Sequence, residues 1–280
     1  MIKLNSQGDA ESKVKNKTQN AVHNNLQRKI NKIKASVGSR LLTLSFLGLS
    51  FMTSQVWAKE LTTEQACTGK AQQYAMSVKF QHRSAEVQAL QLQAYNVATA
   101  RLKDILAKNP DAKNLAIVTD LDETVIDNTE IFVQDLKKCV DYTDWASWNI
   151  WEKSGKPKLI PGSLEFLNFA DAQGLKIFYI SDRSQKFRPY TTQILKDLGL
   201  PQVKAEQILL YGTPKEQRRQ SIAQHYEIVL LIGDTLHDFS DAFSNKQSKQ
   251  ERLAAVLKNQ AEFGHKFIVL PNVSYGPWTD

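Results

Sequence analysis

The chain has 280 residues, 42% of them apolar and 23% charged, with a formal net charge of +7. That charge is unevenly held: residues 1–58 carry 9 Lys/Arg against 2 Asp/Glu, and the rest of the chain carries 27 of each. The basic character therefore belongs to the N-terminal segment, and the neutral remainder makes no electrostatic case for binding a nucleic acid polymer.

Residues 1–40 are polar and basic, with little apolar periodicity. Residues 41–52 are apolar and uncharged, a run shorter than the about 20 residues a bilayer span needs. The segment ends at Val56-Trp57-Ala58, with small or medium residues at the two positions that govern cleavage. The pattern predicts a signal peptide over residues 1–58 with a long basic leader, cut after Ala58. It implies bacterial export to the periplasm or the medium, with no stable membrane span after cleavage. An uncleaved N-terminal anchor is the alternative. No Cys closely follows the apolar run, so lipid attachment there is not expected. The two cysteines, Cys67 and Cys139, can pair in an exported protein, and two unpaired thiols are the other reading. Neither has a spacing suited to zinc.

The 222 residues after Ala58 suffice for one sizeable domain with a small accessory. Residues 59–126 form the first part. Thr63-Glu64 and the Ala/Gln/Leu-rich tract over 62–108, with Ala85, Leu90, Val97, Leu102 and Leu106, predict one or two amphipathic helices. Asn109-Pro110-Asp111 stops them. Next comes Leu115-Ala116-Ile117-Val118-Thr119, a short β-branched run that reads as an interior strand covered on both faces. It ends in Asp120 and Asp122. A lone D-x-D is most simply a solvated loop after a strand. A second acidic strand end, Ile228-Val229-Leu230-Leu231-Ile232-Gly233-Asp234 followed by Asp238, points instead to a metal site at the edge where open α/β sheets bind ligands. Buried carboxylates need a partner, and Mg²⁺ is the obvious hard cation.

Residues 127–160 lack a strand pattern and read as an insert that caps the site. Trp145, Trp148 and Trp151 recur at a spacing of three and so can share a helical face. Pro161-Gly162 closes the insert, and residues 161–280 complete the core. There, residues 163–173 read as a helix with Gly174 past its end. Strand 176–180 runs into Ser181-Asp182-Arg183, and residues 189–198 form a helix stopped by Gly199. Strand 207–211 leads to Lys215, and a helix runs through Arg218, Ile222 and His225. After the Asp234 strand come a helix near 252–263 and a fifth strand over 266–270. This β-α alternation predicts an α/β protein, a three-layer sandwich about a parallel five-stranded sheet, with its functional ends on one edge.

Asp120, Asp122, Ser181, Lys215, Asp234 and Asp238 reach that edge. Four carboxylates, a hydroxyl and an ammonium suit phosphate-ester chemistry. Carboxylates hold Mg²⁺, while Lys and Ser offset phosphoryl charge. One Asp can accept the phosphoryl group, and another can protonate the leaving oxygen. Enzymes accelerate phosphomonoester hydrolysis by up to about 10²¹-fold, so several effects must act together.

Asp120-Leu121-Asp122-Glu123-Thr124-Val125-Ile126-Asp127-Asn128 resembles the first motif of the haloacid dehalogenase (HAD) superfamily and, more narrowly, of the bacterial class C non-specific acid phosphatases. Lys215-Glu216-Gln217-Arg218-Arg219 is similar to their lysine motif. Ile232-Gly233-Asp234-Thr235-Leu236-His237-Asp238-Phe239 is similar to their closing signature, and Leu270-Pro271-Asn272-Val273-Ser274-Tyr275-Gly276-Pro277-Trp278 to their terminal motif. The resemblance spans residues 60–280 and implies a Rossmann-like HAD fold with a small α-helical cap. It implies Asp120 as nucleophile and Mg²⁺ ligand, and Asp122 as general acid/base that binds Mg²⁺ through its main-chain carbonyl. Asp234 would be the third protein ligand, Asp238 would orient the metal's waters, and Ser181 and Lys215 would bind phosphate. Trp145 and Tyr275 fall where the family clamps a nucleobase, which implies small phosphomonoester substrates including nucleoside 5′-monophosphates. The family commonly has Thr-Asn-Arg where this chain has Ser181-Asp182-Arg183. Asp182 thus adds a charge that would weaken substrate binding if it faced the site. Arg183 is expected to guide substrate or to form a surface salt bridge. His225 and His237 are expected to be structural, and Glu123 to cap the following turn. The expected activity is a phosphomonoesterase, with a phosphotransferase or a catalytically idle binding relative as alternatives. The oligomeric state, a homo-oligomer included, is open.

Overall fold

The computed structural model describes residues 69–244 and 246–278. The predicted signal peptide with its cleavage site, the predicted helix start at Thr63 and Cys67 lie outside the described residues.

Strand β1, Leu115–Thr119, is buried along its whole length. Leu115 and Ile117 enter one apolar layer, and Ala116 and Val118 enter the other. A strand covered on both faces needs apolar residues at successive positions, which is why the run does not alternate with polar residues. Around β1 lie β4 (Lys176–Ile180), β5 (Ile208–Leu209), β6 (Glu227–Gly233) and β7 (Phe267–Val269), in the order β5-β4-β1-β6-β7. All pairings are parallel. The chain builds outward from β1 through β4 to β5, then crosses back to β6 and on to β7. The winding direction therefore reverses between β1 and β6, where loops diverge and leave a crevice at the carboxyl ends of the strands.

Helix α1 (Lys70–Arg83) and helix α2 (Ala85–Lys108) meet at Ser84, whose side chain accepts the Val87 N–H at 3.0 Å and starts α2. The predicted tract is thus two helices, the second ending at Lys108 just before Asn109-Pro110. Tyr95, Ala98 and Leu102 of α2 pack with Phe166 and Leu167 of α5 (Ser163–Ala172) over one sheet face. The opposite face is covered by Ile222 of α7 (Lys215–Ala223), by Phe239 and Phe243, and by Ala255 and Val256 of α8 (Lys249–Lys258). Helix α6 (Arg188–Asp197) carries Pro189 in its first turn and sends Leu195 into the α2 layer. The three-layer sandwich is as predicted, with shorter elements at its margin. Edge strand β5 keeps two residues of the expected five, and α8 ends at Lys258 before a 3₁₀ turn, Gln260–Glu262.

The insert differs from expectation in two respects. A short antiparallel pair, β2 (Ile126–Asp127) with β3 (Lys158–Leu159), closes its neck. Two-residue strands are too brief to produce an alternating pattern. Between them lie α3 (Thr129–Lys137), a 3₁₀ turn (Tyr142–Asp144) and α4 (Trp148–Ser154). Trp145 precedes α4 with φ of 61°, so the three tryptophans do not share a helical face. Phe132, Tyr142 and Trp151 join Val78 of α1 in a separate apolar cluster that anchors this cap. Cys139, just after α3, is disulfide-bonded, so the reading of unpaired thiols does not hold for it. Among the described residues, no helix is long and apolar enough to cross a membrane.

Candidate active site

The two carboxyl-ended strands at the crevice, β1 and β6, bring Asp120, Asp234 and Asp238 together, each with one oxygen within 4.8 Å of the others'. Lys215, in the first turn of α7, places its Nζ 2.5 Å from Asp120 Oδ1 and 2.6 Å from Asp238 Oδ1. Asp238 is folded back by the Thr235 N–H at 3.0 Å and hydroxyl at 2.8 Å. It fits only because residue 233 is glycine: a Cβ there would lie 2.3 Å from that of Asp238. Asp234 accepts the Thr124 hydroxyl at 3.1 Å and the Asn272 amide at 2.7 Å.

The charges in this cluster do not cancel. Burial, with the neighbouring carboxylates Asp238, Asp234 and Asp122, pushes Asp120 well above the usual carboxylate range despite the opposing Lys215 charge. Burial, aided by Asp238, pushes Asp234 up to about 7. Burial would raise Asp238 too, but Lys215 and His237 hold it down. Burial would lower Lys215, and Asp120 and Asp238 overcome it and keep the ammonium charged. Three carboxylates facing one ammonium, with two of them driven toward protonation, have the hard-oxygen donor set and the unmet charge that a divalent cation satisfies.

Asp122 stands apart from that group. Its side chain takes Arg183 Nε at 2.9 and 3.2 Å, Arg183 Nη2 at 2.8 Å, the Asn128 amide at 2.9 Å and the Ser181 hydroxyl at 3.1 Å. Ser181, fully buried after β4, also accepts the Arg183 N–H at 3.1 Å. Arg183 itself is 1% exposed. It is therefore no surface salt bridge, and its Nε and Nη2 bond Asp122 and Asn128 Oδ1. The extra charge of Asp182 is paired with Arg218 at 2.7 Å and lies 3.4 Å from His237 Nε2. Burial alone would raise its carboxyl. His237, Lys215 and Arg218 hold it far below the usual range, so its charge is offset locally.

Glu123 caps the turn, as expected, by accepting the Asn128 N–H at 2.8 Å. It also has a left-handed φ of 54° and accepts a short hydrogen bond from the Tyr275 hydroxyl. This tie runs from the Asp120–Asp122 loop to the aromatic residue Tyr275. Trp145, 41% exposed, meets the Tyr275 ring edge-on with centroids 5.1 Å apart. His237 sits at the rim, bonded to Thr235 Oγ1 at 3.0 Å, and His225 lies beyond the end of α7. Sequence reasoning passed over Asn128, Asn272, Trp151 and Glu152. The first two lay inside quoted motifs, while Trp151 and Glu152 bore no mark beyond the Trp spacing.

The family model for the HAD superfamily, subfamily IIIB (acid phosphatase), matches residues 12–278. The class C acid phosphatase from Bacillus anthracis, solved with tungstate bound, superposes with a TM-score of 0.70 at 36% identity, covering 75% of this chain and 87% of that one. A second structure of the Bacillus anthracis class C acid phosphatase superposes equally well, with a TM-score of 0.70 at 36% identity, covering 74% of this chain and 87% of that one. With its doubly wound parallel sheet and acidic cluster at the winding reversal, this chain belongs to the HAD-superfamily subfamily IIIB acid phosphatases and is a phosphomonoesterase.

Proposed function

We propose that this chain is an exported, Mg²⁺-dependent acid phosphatase that hydrolyses small phosphomonoesters, nucleoside 5′-monophosphates among them, through an aspartyl-phosphate on Asp120. The observation that carries the reading is the closed set Asp120, Asp234, Asp238 and Lys215, with Asp122 and Ser181 adjoining it. Tungstate, which the Bacillus anthracis relative binds, is a tetrahedral oxyanion like phosphate, in keeping with a phosphate-ester substrate. The disulfide at Cys139 supports export, because disulfides persist in oxidising compartments.

In the first step a carboxylate oxygen of Asp120 bonds to phosphorus as the bond from phosphorus to the ester oxygen breaks. Asp122 gives its proton to that departing oxygen. In the second step water attacks phosphorus, Asp122 takes the water's proton, and the bond to Asp120 breaks. Inorganic phosphate leaves and both carboxyls return to their starting states. Lys215 and the Ser181 hydroxyl hold phosphoryl oxygens and reduce the repulsion between two anions. Asp120, Asp234 and the Asp122 main-chain carbonyl would hold Mg²⁺, with Asp238 steadying its waters. When bound, the ion supplies positive charge against the phosphoryl oxygens. Trp145 and Tyr275 offer aromatic surface to a base, a contact tolerant of base identity.

Asp120→Asn is expected to abolish turnover of p-nitrophenyl phosphate while the protein stays folded; turnover near wild type would remove Asp120 as nucleophile. Asp234, pushed by burial up to about 7 against an ordinary 3.8, holds its proton more tightly folded than unfolded. Its contribution to stability is therefore full below pH 4 and is lost as pH rises through about 7. Titrating MgCl₂ into EDTA-treated protein at pH 6 in two buffers of different ionisation enthalpy is expected to reveal proton release, and buffer-independent heats would contradict the Asp234 assignment. Trp145→Ala is expected to raise KM for a nucleoside monophosphate by about tenfold, in line with the loss of one stacking contact. KM for p-nitrophenyl phosphate should change far less; equal changes would make Trp145 ordinary packing.

A further inference from the structure

Helix α4 of the cap directs Trp148, Trp151 and Glu152, at i, i+3 and i+4, toward the groups beside Asp122. Trp148 lays its ring 5.7 Å from the Arg183 guanidinium. Trp151 donates its indole N–H to Asn128 Oδ1 at 2.8 Å, the same oxygen that receives Arg183 Nη2 at 2.9 Å. Glu152 is 1% exposed, and its Oε1 accepts both the Ser184 main-chain N–H at 3.0 Å and the Trp148 indole N–H at 3.1 Å.

Glu152 is costly where it stands. A carboxylate buried in a cap helix loses hydration, and only specific partners repay that loss. Burial pushes its carboxyl up, while the Ser184 N–H, Arg183 and Trp148 oppose the shift. Its Oε2 and the Nη1 of Arg183 are buried without a protein hydrogen-bond partner. An apolar side chain would pack the cap at less cost. What a carboxylate adds is a grip on the 181–184 segment, through the main chain of Ser184 and the charge of Arg183. That segment carries Ser181 and Arg183, two of the three residues whose side chains fasten Asp122.

We infer that Glu152 is a positioning residue for the general acid: it fixes residues 181–184 from the cap, so that Arg183 holds Asp122 in line with the departing oxygen. Protonation of the leaving group then depends on a docked cap. This rests on the assignment of Asp122 as general acid, and it deepens that assignment by naming what orients the group.

The test uses leaving groups of different need. p-Nitrophenolate departs readily unprotonated, whereas the alkoxide of glycerol 2-phosphate requires a proton. The quantity read is kcat/KM, which reports the first phosphoryl transfer. Misplacing a general acid costs in proportion to that need, so Glu152→Ala is expected to lower kcat/KM about thirtyfold for glycerol 2-phosphate and about threefold for p-nitrophenyl phosphate. Glu152→Gln keeps an acceptor for the Ser184 N–H but loses the charge facing Arg183, and should keep the same grading at smaller size. It also serves as the test should the alanine variant not fold. Equal losses on the two esters, or no loss in either variant, would overturn the inference. Asp122→Asn is measured alongside. If its own losses are ungraded, the general-acid assignment fails and the inference with it; if they are graded while those of both Glu152 variants are not, the inference alone fails.

Discussion

Two buried carboxylates and a half-buried third crowd one ammonium at the point where the sheet reverses its winding, and much of the structure exists to make that arrangement tolerable. Asp120 and Asp234 would repel each other across the crevice without compensation. Lys215 bridges Asp120 and Asp238 and meets part of the need. Thr124, Thr235 and Asn272 supply neutral donors for more of it. The remaining deficit appears as carboxyls displaced toward protonation. A site that repels its own anions is poised for a cation, and a cation beside a nucleophilic carboxylate is what phosphoryl transfer demands.

The fold's part is to supply rigid origins for these groups. Asp120 follows a strand buried at every position, so its main chain has little freedom. Its N–H continues the ladder to Ile232 O at 2.9 Å, which ties Asp120 to the strand that leads into Asp234. Gly233 then leaves the space into which Asp238 folds. Asp122, two residues from Asp120, belongs to a different electrostatic neighbourhood, made by Arg183, Asn128 and Ser181. Adjacent carboxylates with separate surroundings are suited to separate tasks.

Much of this was legible in the sequence. The unbroken apolar run of β1 and the acidic residues after β1 and β6 identify the sheet and the crevice, because burial on both faces and the cost of buried charge leave few other readings. Element ends were less legible at the periphery: β5 lies at the sheet edge, where half the ladder is missing and pairing fades early. The insert was poorly legible. Its β2–β3 neck is too short for a period, and Trp145 leaves helical geometry through a left-handed residue that composition does not announce. The surface salt bridge considered for Arg183 was a misreading because its partners lie 61 and 55 residues away in sequence, at Asp122 and Asn128. The environment of Glu152 is likewise made by distant chain and has no local signature.

The metal-loaded protein with tungstate, solved by crystallography, examines the account at its centre. One divalent ion should be ligated by Asp120 and Asp234, with the oxyanion lying between Asp120, Ser181 and Lys215. An ion held elsewhere, or an oxyanion seated away from Asp120, would contradict it.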